Sequence, residues 1–193
     1  MLKTAFRFLT YDRSNLLGIL AGIIVSVVLV GIELGIFNSM AENAKGLTHN
    51  YPHYVWVVNP KTQSALQLQN LDVRVGRELQ SLPGVQHVYP LVLTTGSAKS
   101  PGGTKLSVQI LGIQAPEFRG GALSYTPSTN LLDLINEGAV IFDQTDLPKL
   151  DNMRIGEHLT VNDQRVYLSG LSRGMVGFGT SYVTTTLERA RQL

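Results

Sequence analysis

Cysteine is absent from all 193 residues. That excludes a disulfide framework and any thiolate metal site, so the fold must be held by packing and hydrogen bonds. Charge is also scarce: Lys, Arg, Asp and Glu make up 16% of the chain and leave a net charge of +2. With no lysine/arginine cluster and no interleaving of basic with aromatic residues, nucleic acid is not expected as a partner. The dipeptide Gly-Lys never occurs, which excludes a phosphate-binding loop of the Walker type. Any ATP-derived energy would have to arrive through another subunit. Internal repeats and low-complexity tracts are missing too.

What the chain does have is one long apolar run. Leu16 to Phe37 is about 22 residues, and at roughly 1.5 Å per residue a helix of that length crosses a hydrocarbon core of about 30 Å. Cleavable signal peptides carry a shorter apolar region, of about 7–15 residues. Ser39-Met40-Ala41 offers a passable cleavage site, yet the length favours an uncleaved anchor. Lys3, Arg7 and Arg13 precede the span and only Lys45 follows closely, so the positive-inside bias places the N-terminus in the cytoplasm and the rest outside. Residues 1–15 read as a cytoplasmic leader, with Leu2, Ala5, Phe6 and Leu9 on one face of a short interfacial helix or, alternatively, as a flexible basic leader. Residues 16–37 are the transmembrane helix and 38–193 the outer domain, large enough for its own core.

Within the span, small residues recur every fourth position at Gly18, Gly22 and Ser26 and again at Gly31 and Gly35, a pattern that lets another helix approach closely. Glu33 interrupts the apolar run, at a cost of about 2.5–3.5 kcal/mol for an ionised group at the bilayer centre and less near the ends. It either snorkels to the headgroups or contacts a partner helix or substrate.

The outer region reads as α+β. "HYVWVV" has the composition of a buried strand closed by Asn59-Pro60. A helix follows in "LDVRVGRELQSL", with Leu71, Val75, Leu79 and Leu82 on one face and Pro83-Gly84 as its stop. "VQHVYPLVLTTGSAK" and "TKLSVQILGIQ" form a long hairpin across Ser100-Pro101-Gly102-Gly103. Beyond a loop-rich stretch from Ala115 to Asn130 come a strand at "AVIFD", a brief helical segment at "QTDLPKL", a second hairpin turning at Asn162-Asp163, a strand at "SYVTTT" and a helix capped by Thr185 or Thr186. Phe118 to Pro127 is the longest irregular stretch and hence the expected contact surface, with Phe118, Arg119 and Tyr125 as its candidates.

Catalytic chemistry is sparse. Gly170-Leu171-Ser172-Arg173-Gly174 satisfies G-x-S-x-G, but the glycine-rich "MVGFGTSY" that follows leans towards strand, where a nucleophile elbow requires a helix, and no histidine is placed as base. His49 and His53 are four apart, with Pro52 between them and no carboxylate cluster nearby, so a metal is not expected. No catalytic residue, cofactor or metal site is expected, and the chain reads as a non-enzyme.

The order of a basic leader, one membrane helix and a domain opening strand-helix-strand-strand resembles the N-terminal half of MacB/FtsX-like ABC transporter permeases. "LQSLPGVQHVYPLV" (Leu79 to Val92) resembles that family's helix-to-strand junction. "GAVIFDQTDLPKL" and "MRIGEHLTVNDQRVYLSGLSRGMVGFGTSYVTTTLERARQL" resemble the distal part of its periplasmic core domain, most of all in DevC-type permeases: a strand ending in an acid, here Asp143, an Ile155-Gly156 step, and a hairpin from Val161 to Gly170. The resemblance implies an ABC-type exporter subunit in the bacterial inner membrane, a permease homodimer driven by a cytoplasmic ATPase, working with a periplasmic adaptor and an outer-membrane channel on lipid, glycolipid or another amphipathic substrate. The family's three further membrane helices do not follow, so the chain is expected to be truncated, as a gene fragment or split permease. The alternative is a single-pass anchored periplasmic binding or regulatory module, and a third reading is a secreted hydrolase built on Ser172.

Overall fold

A computed structural model of the chain describes residues 11, 13–44, 51, 53–63, 68–121, 124–175, 177 and 179–193. The expected interfacial helix of the leader and His49 lie outside these residues. Two compact units are present, Met1–Glu42 and Asn43–Leu193.

The first unit holds helix α1, Arg13–Ala44. Between Arg13 and Glu42 its only charge is Glu33. Its segment Leu16–Ser39 is long and apolar enough to cross a membrane, and a helix is the form in which a lone segment bonds all its own backbone groups without water.

The second unit begins irregularly, and here two expectations fail. "HYVWVV" forms no strand: Tyr54–Val58 pair with nothing in a sheet, and Val55 is 91% exposed. Residues 85–90 likewise stay outside the sheet, and strand β1 starts only at Leu91. Helix α2, Val73–Gln80, does form. Asp72 caps it by accepting from the Arg74 N–H at 2.9 Å, and Ser81 and Gly84, at φ 93°, end it. No residue of α2 is buried, and the flanking Leu71 and Leu82 are exposed, so its apolar face covers no core among the described residues.

From Leu91 onward every strand is paired. The strands are β1 (Leu91–Lys99), β2 (Lys105–Ile113), β3 (Ser124–Tyr125), β4 (Ala139–Asp143), β5 (His158–Val161), β6 (Gln164–Arg173) and β7 (Ser181–Thr186). Both expected hairpins are present: β1–β2 with Leu91 opposite Ile113, and β5–β6 with Val161 opposite Gln164. Two parallel pairings, β2–β7 and β4–β6, and one antiparallel, β4–β7, join them. Because β5 pairs with β1 as well as β6, the strands β1-β2-β7-β4-β6-β5 close into a ring, with β3 added to the outer end of β6. Closure removes most of the free edge that an open sheet would expose.

Alternation along the strands divides the apolar residues between two cores. Ala98, Val108, Ile110, Val140, Phe142, Leu159, Val161, Val166, Leu168 and Val183, from all six ring strands, fill one. Leu111, Ile113, Ala139, Ile141 and Tyr182 face the other, under the loop after β2 and a short 3-10 helix at Leu131–Ile135. β4 is buried at all five positions because both of its faces and both of its edges are covered. Helix α3, Leu187–Gln192, capped by Thr186, does not stand free at the end of the chain. Leu187 and Ala190 are buried against β2 where Gly112 leaves room: a Cβ there would lie 2.4 Å from the Ala190 Cβ.

Candidate functional site

The candidate residues of α1 fall on two sides of the helix. At about 100° per residue, Gly18, Gly22 and Ser26 sit within a sector of about 80°, and Glu33 projects into the middle of that sector. Gly31 and Gly35 point to the far side. Ser26 Oγ donates to Gly22 O at 2.9 Å, which satisfies the hydroxyl within the helix and keeps that row smooth. Beyond the helix's own neighbouring backbone, nothing among the described residues lies within 4 Å of the Cβ position of Gly18, Gly22, Gly31 or Gly35. The acid and the first small-residue row therefore share one face.

The candidates beyond β2 are only partly available. Phe118 is 5% exposed and packs against the second core, its backbone in the left-handed region at φ 49° and its N–H bonded to Gln114 O at 2.8 Å. Its place as a surface contact is thus corrected: the loop folds its aromatic residue inward because a phenyl ring gains more from the sheet than from water. Tyr125 lies in β3, half-buried, opposite Ser172. Of the three, Arg119 alone is exposed.

Ser172 sits near the end of β6 and is 2% exposed. Its hydroxyl donates to Asp143 Oδ2 at 3.3 Å and to Phe142 O at 3.4 Å. Asp143 also accepts from the Met175 N–H at 2.8 Å and from both the N–H and the hydroxyl of Thr145, at 3.0 and 2.8 Å. Among the described residues the Ser172 hydroxyl is bonded to a carboxylate and a backbone carbonyl, and β6 is followed by a bend at Gly174 where a nucleophile elbow would have a helix. The constellation is a clasp: Asp143 ends β4, caps the 3-10 helix Gln144–Leu150 and holds the glycine-rich segment after β6.

A second acid does similar work at the β1–β2 turn. Asp151, left-handed at φ 54°, accepts from the Ser100 hydroxyl and, at 3.1 Å, from the Thr104 hydroxyl. Those hydroxyls, Ser100 first, with the Gly102 backbone, hold the Asp151 carboxyl below its ordinary range. A Cβ at Gly102 would lie 2.3 Å from Asp151 Oδ2, so a larger residue there displaces the carboxylate.

Among the described residues there is no group of three His, Asp or Glu that could hold a metal ion. No family model matches the chain, and no curated protein matches it. Solved structures do. The extracellular domain of the noncanonic ABC-type transporter YknZ from Gram-positive bacteria aligns at 15% identity and a TM-score of 0.49, over 62% of this chain and 64% of that one. The periplasmic region of MacB from Actinobacillus actinomycetemcomitans aligns at 14% identity and a TM-score of 0.47, over 61% and 56%. The chain spans less than two thirds of the length of either.

Proposed function

We propose that this chain is a non-enzymatic membrane subunit of an ABC-type exporter, anchored by α1 with its N-terminus in the cytoplasm and its sheet domain outside. The observation that carries the reading is α1 itself: an apolar helix of membrane-spanning length with a small-residue face that also bears Glu33, joined to a separately folded mixed-sheet unit. The residue-level resemblance of Leu79–Val92 and of residues 138–193 to the MacB/FtsX-like periplasmic core domain supports the same assignment. In this role the chain has a cytoplasmic ATPase as partner and pairs with a second permease copy. A periplasmic adaptor and an outer-membrane channel receive the amphipathic cargo, of which lipid or glycolipid is the class favoured by the DevC-type resemblance. Arg119 on the loop after β2 is the exposed candidate for contact with adaptor or cargo.

The natural absence of cysteine makes the test direct. Lys3→Cys and Lys105→Cys, each the sole thiol, are probed with a membrane-impermeant maleimide on intact spheroplasts. Labelling of Lys105→Cys alone is expected, and a photo-crosslinker at Phe6 should capture a nucleotide-binding subunit. Labelling of Lys3→Cys overturns the orientation; correct orientation without an ATPase in the crosslink replaces the exporter with an anchored binding module.

A further inference from the structure

A shallow groove of about 370 Å³ opens between the turn before β4, the β5–β6 hairpin and α3, with Glu137, Gly138, His158, Arg165, Tyr167 and Arg189 among its walls. The fold assembles these residues from three parts of the chain: the turn before β4, the β5–β6 hairpin and α3. Arg165 and Tyr167, two apart on β6, project to the same side of the strand, away from the packed Val166 and Leu168. His158 on β5 is the cross-strand partner of Tyr167, and their rings meet edge to face with centroids 6.0 Å apart. α3 brings Arg189 over this wall.

The groove is rich in donors and poor in acceptors. Arg189 is oriented by donating to Arg165 O at 3.3 Å and to Gln192 Oε1 at 3.2 Å, while its Nε is buried with no acceptor. Neither arginine is ion-paired among the described residues, where the one ion pair is Lys149–Asp146. Arg165, Arg189, His158 and Tyr167 thus line one groove, and Glu137 is the acid among its lining residues. Guanidinium groups match oxyanions through paired N–H bonds. Donors arriving from several directions suit a tetrahedral group with many acceptor oxygens better than a planar carboxylate. Arg165 and Arg189 against Glu137 leave an excess of one positive charge among these three groups, which matches the single negative charge of a diester.

We infer that this groove is a binding site for a phosphodiester group, whether carried by a phospholipid headgroup or by a small soluble diester. The inference stands on the groove alone and does not require the exporter reading.

The test uses the full chain in a maltoside detergent with 13C-labelled histidine, the His158 resonance being identified by its loss in His158→Gln. Titration with glycerophosphoglycerol should shift that resonance saturably. Arg165→Glu, on an exposed side chain whose loss spares the packed core, should weaken binding at least tenfold, and Arg189→Gln should weaken it as well. Lys105→Glu, a cation on the other hairpin, should leave it unchanged. Phosphatidylglycerol binding more tightly than the soluble diester identifies a lipid source, and equal or weaker binding a free diester. The site is overturned if neither probe shifts His158 saturably, if Arg165→Glu binds as the parent chain does, or if acetate binds equally well.

Discussion

Two short apolar runs, "HYVWVV" near the start of the outer unit and "AVIFD" at its middle, look alike on paper and end in opposite states. The second is buried at all five positions, between β6 and β7 and between two cores. The first pairs with nothing, and Val57 and Val58 are 45% and 46% exposed. The difference shows that strand character is conferred by neighbours: β-branched and aromatic residues fit a pleated, half-buried surface, and without that surface they have no preference strong enough to make a strand alone. The division runs through the described residues of the unit, those from 53 to 90 lying outside the sheet while β1, β2, β4, β5, β6 and β7 close into a ring.

The largest expected effect puts that contrast to a direct measurement. Phe142→Ala in β4 should destabilise the outer unit by about 3–5 kcal/mol, through the lost transfer energy and the cavity it leaves. Val57→Ala should change stability by no more than about 0.5 kcal/mol. Urea unfolding of the full chain in detergent compares them, and an equal loss at Val57 would show that its segment is covered after all.

Glycine gives a contrast of opposite sign. Gly112→Ala forces a methyl group against Ala190 and the backbone of Leu187, so α3 must lift from β2 at a cost of about 1–3 kcal/mol. Gly76 lies within α2 with open space around its Cβ position, so Gly76→Ala should stabilise by up to about 1 kcal/mol. Thermal melts of both variants read the sign, and matching signs would erase the distinction between the packed and unpacked parts.

The smallest effect sharpens the comparison within the ring. The folded state lowers the Asp151 carboxyl, so its contribution is present above the unfolded value, about pH 4, and is lost as pH falls through the lower folded value. Asp151→Asn, which tolerates the left-handed backbone, should therefore be less stable than the parent at pH 7, with the gap closing in acid. A gap that persists at pH 2 would assign the effect to geometry rather than charge.

Much of the ring could be read from the residues. Ser100-Pro101-Gly102-Gly103 and Asn162-Asp163 each carry their own turn geometry, Asn162 and Asp163 at φ 46° and 63°. "AVIFD", "SYVTTT" and the Thr186 cap are local signals as well. Closure was not legible, because it depends on β5 meeting β1 through Ala98–Val161 and Lys99–Thr160, contacts that no local pattern encodes. The inward turn of Phe118 was hidden for the same reason, since its partners Ile141 and Tyr182 lie far along the chain. The groove was missed because Glu137, His158, Arg165 and Arg189 belong to no motif and meet only when α3 docks on the hairpin.

The parallel pairing of β2 with β7 has a consequence for how the molecule comes together. Thr180 and Ser107, bonded beside that pair, are 73 residues apart in sequence, and β4 lies against β7 on its other edge. Hairpins form early because their loops are short, whereas a contact spanning so much chain carries a loop-closure cost before it returns any energy. β4 can pair with β6, and β5 with β1, without β7, but the ring closes only when β7 enters between β2 and β4. For a polypeptide emerging vectorially, apolar faces of β2 and β4 stay uncovered until synthesis has passed Thr186, so the interval before that point is when the domain is most exposed to aggregation and most dependent on protection.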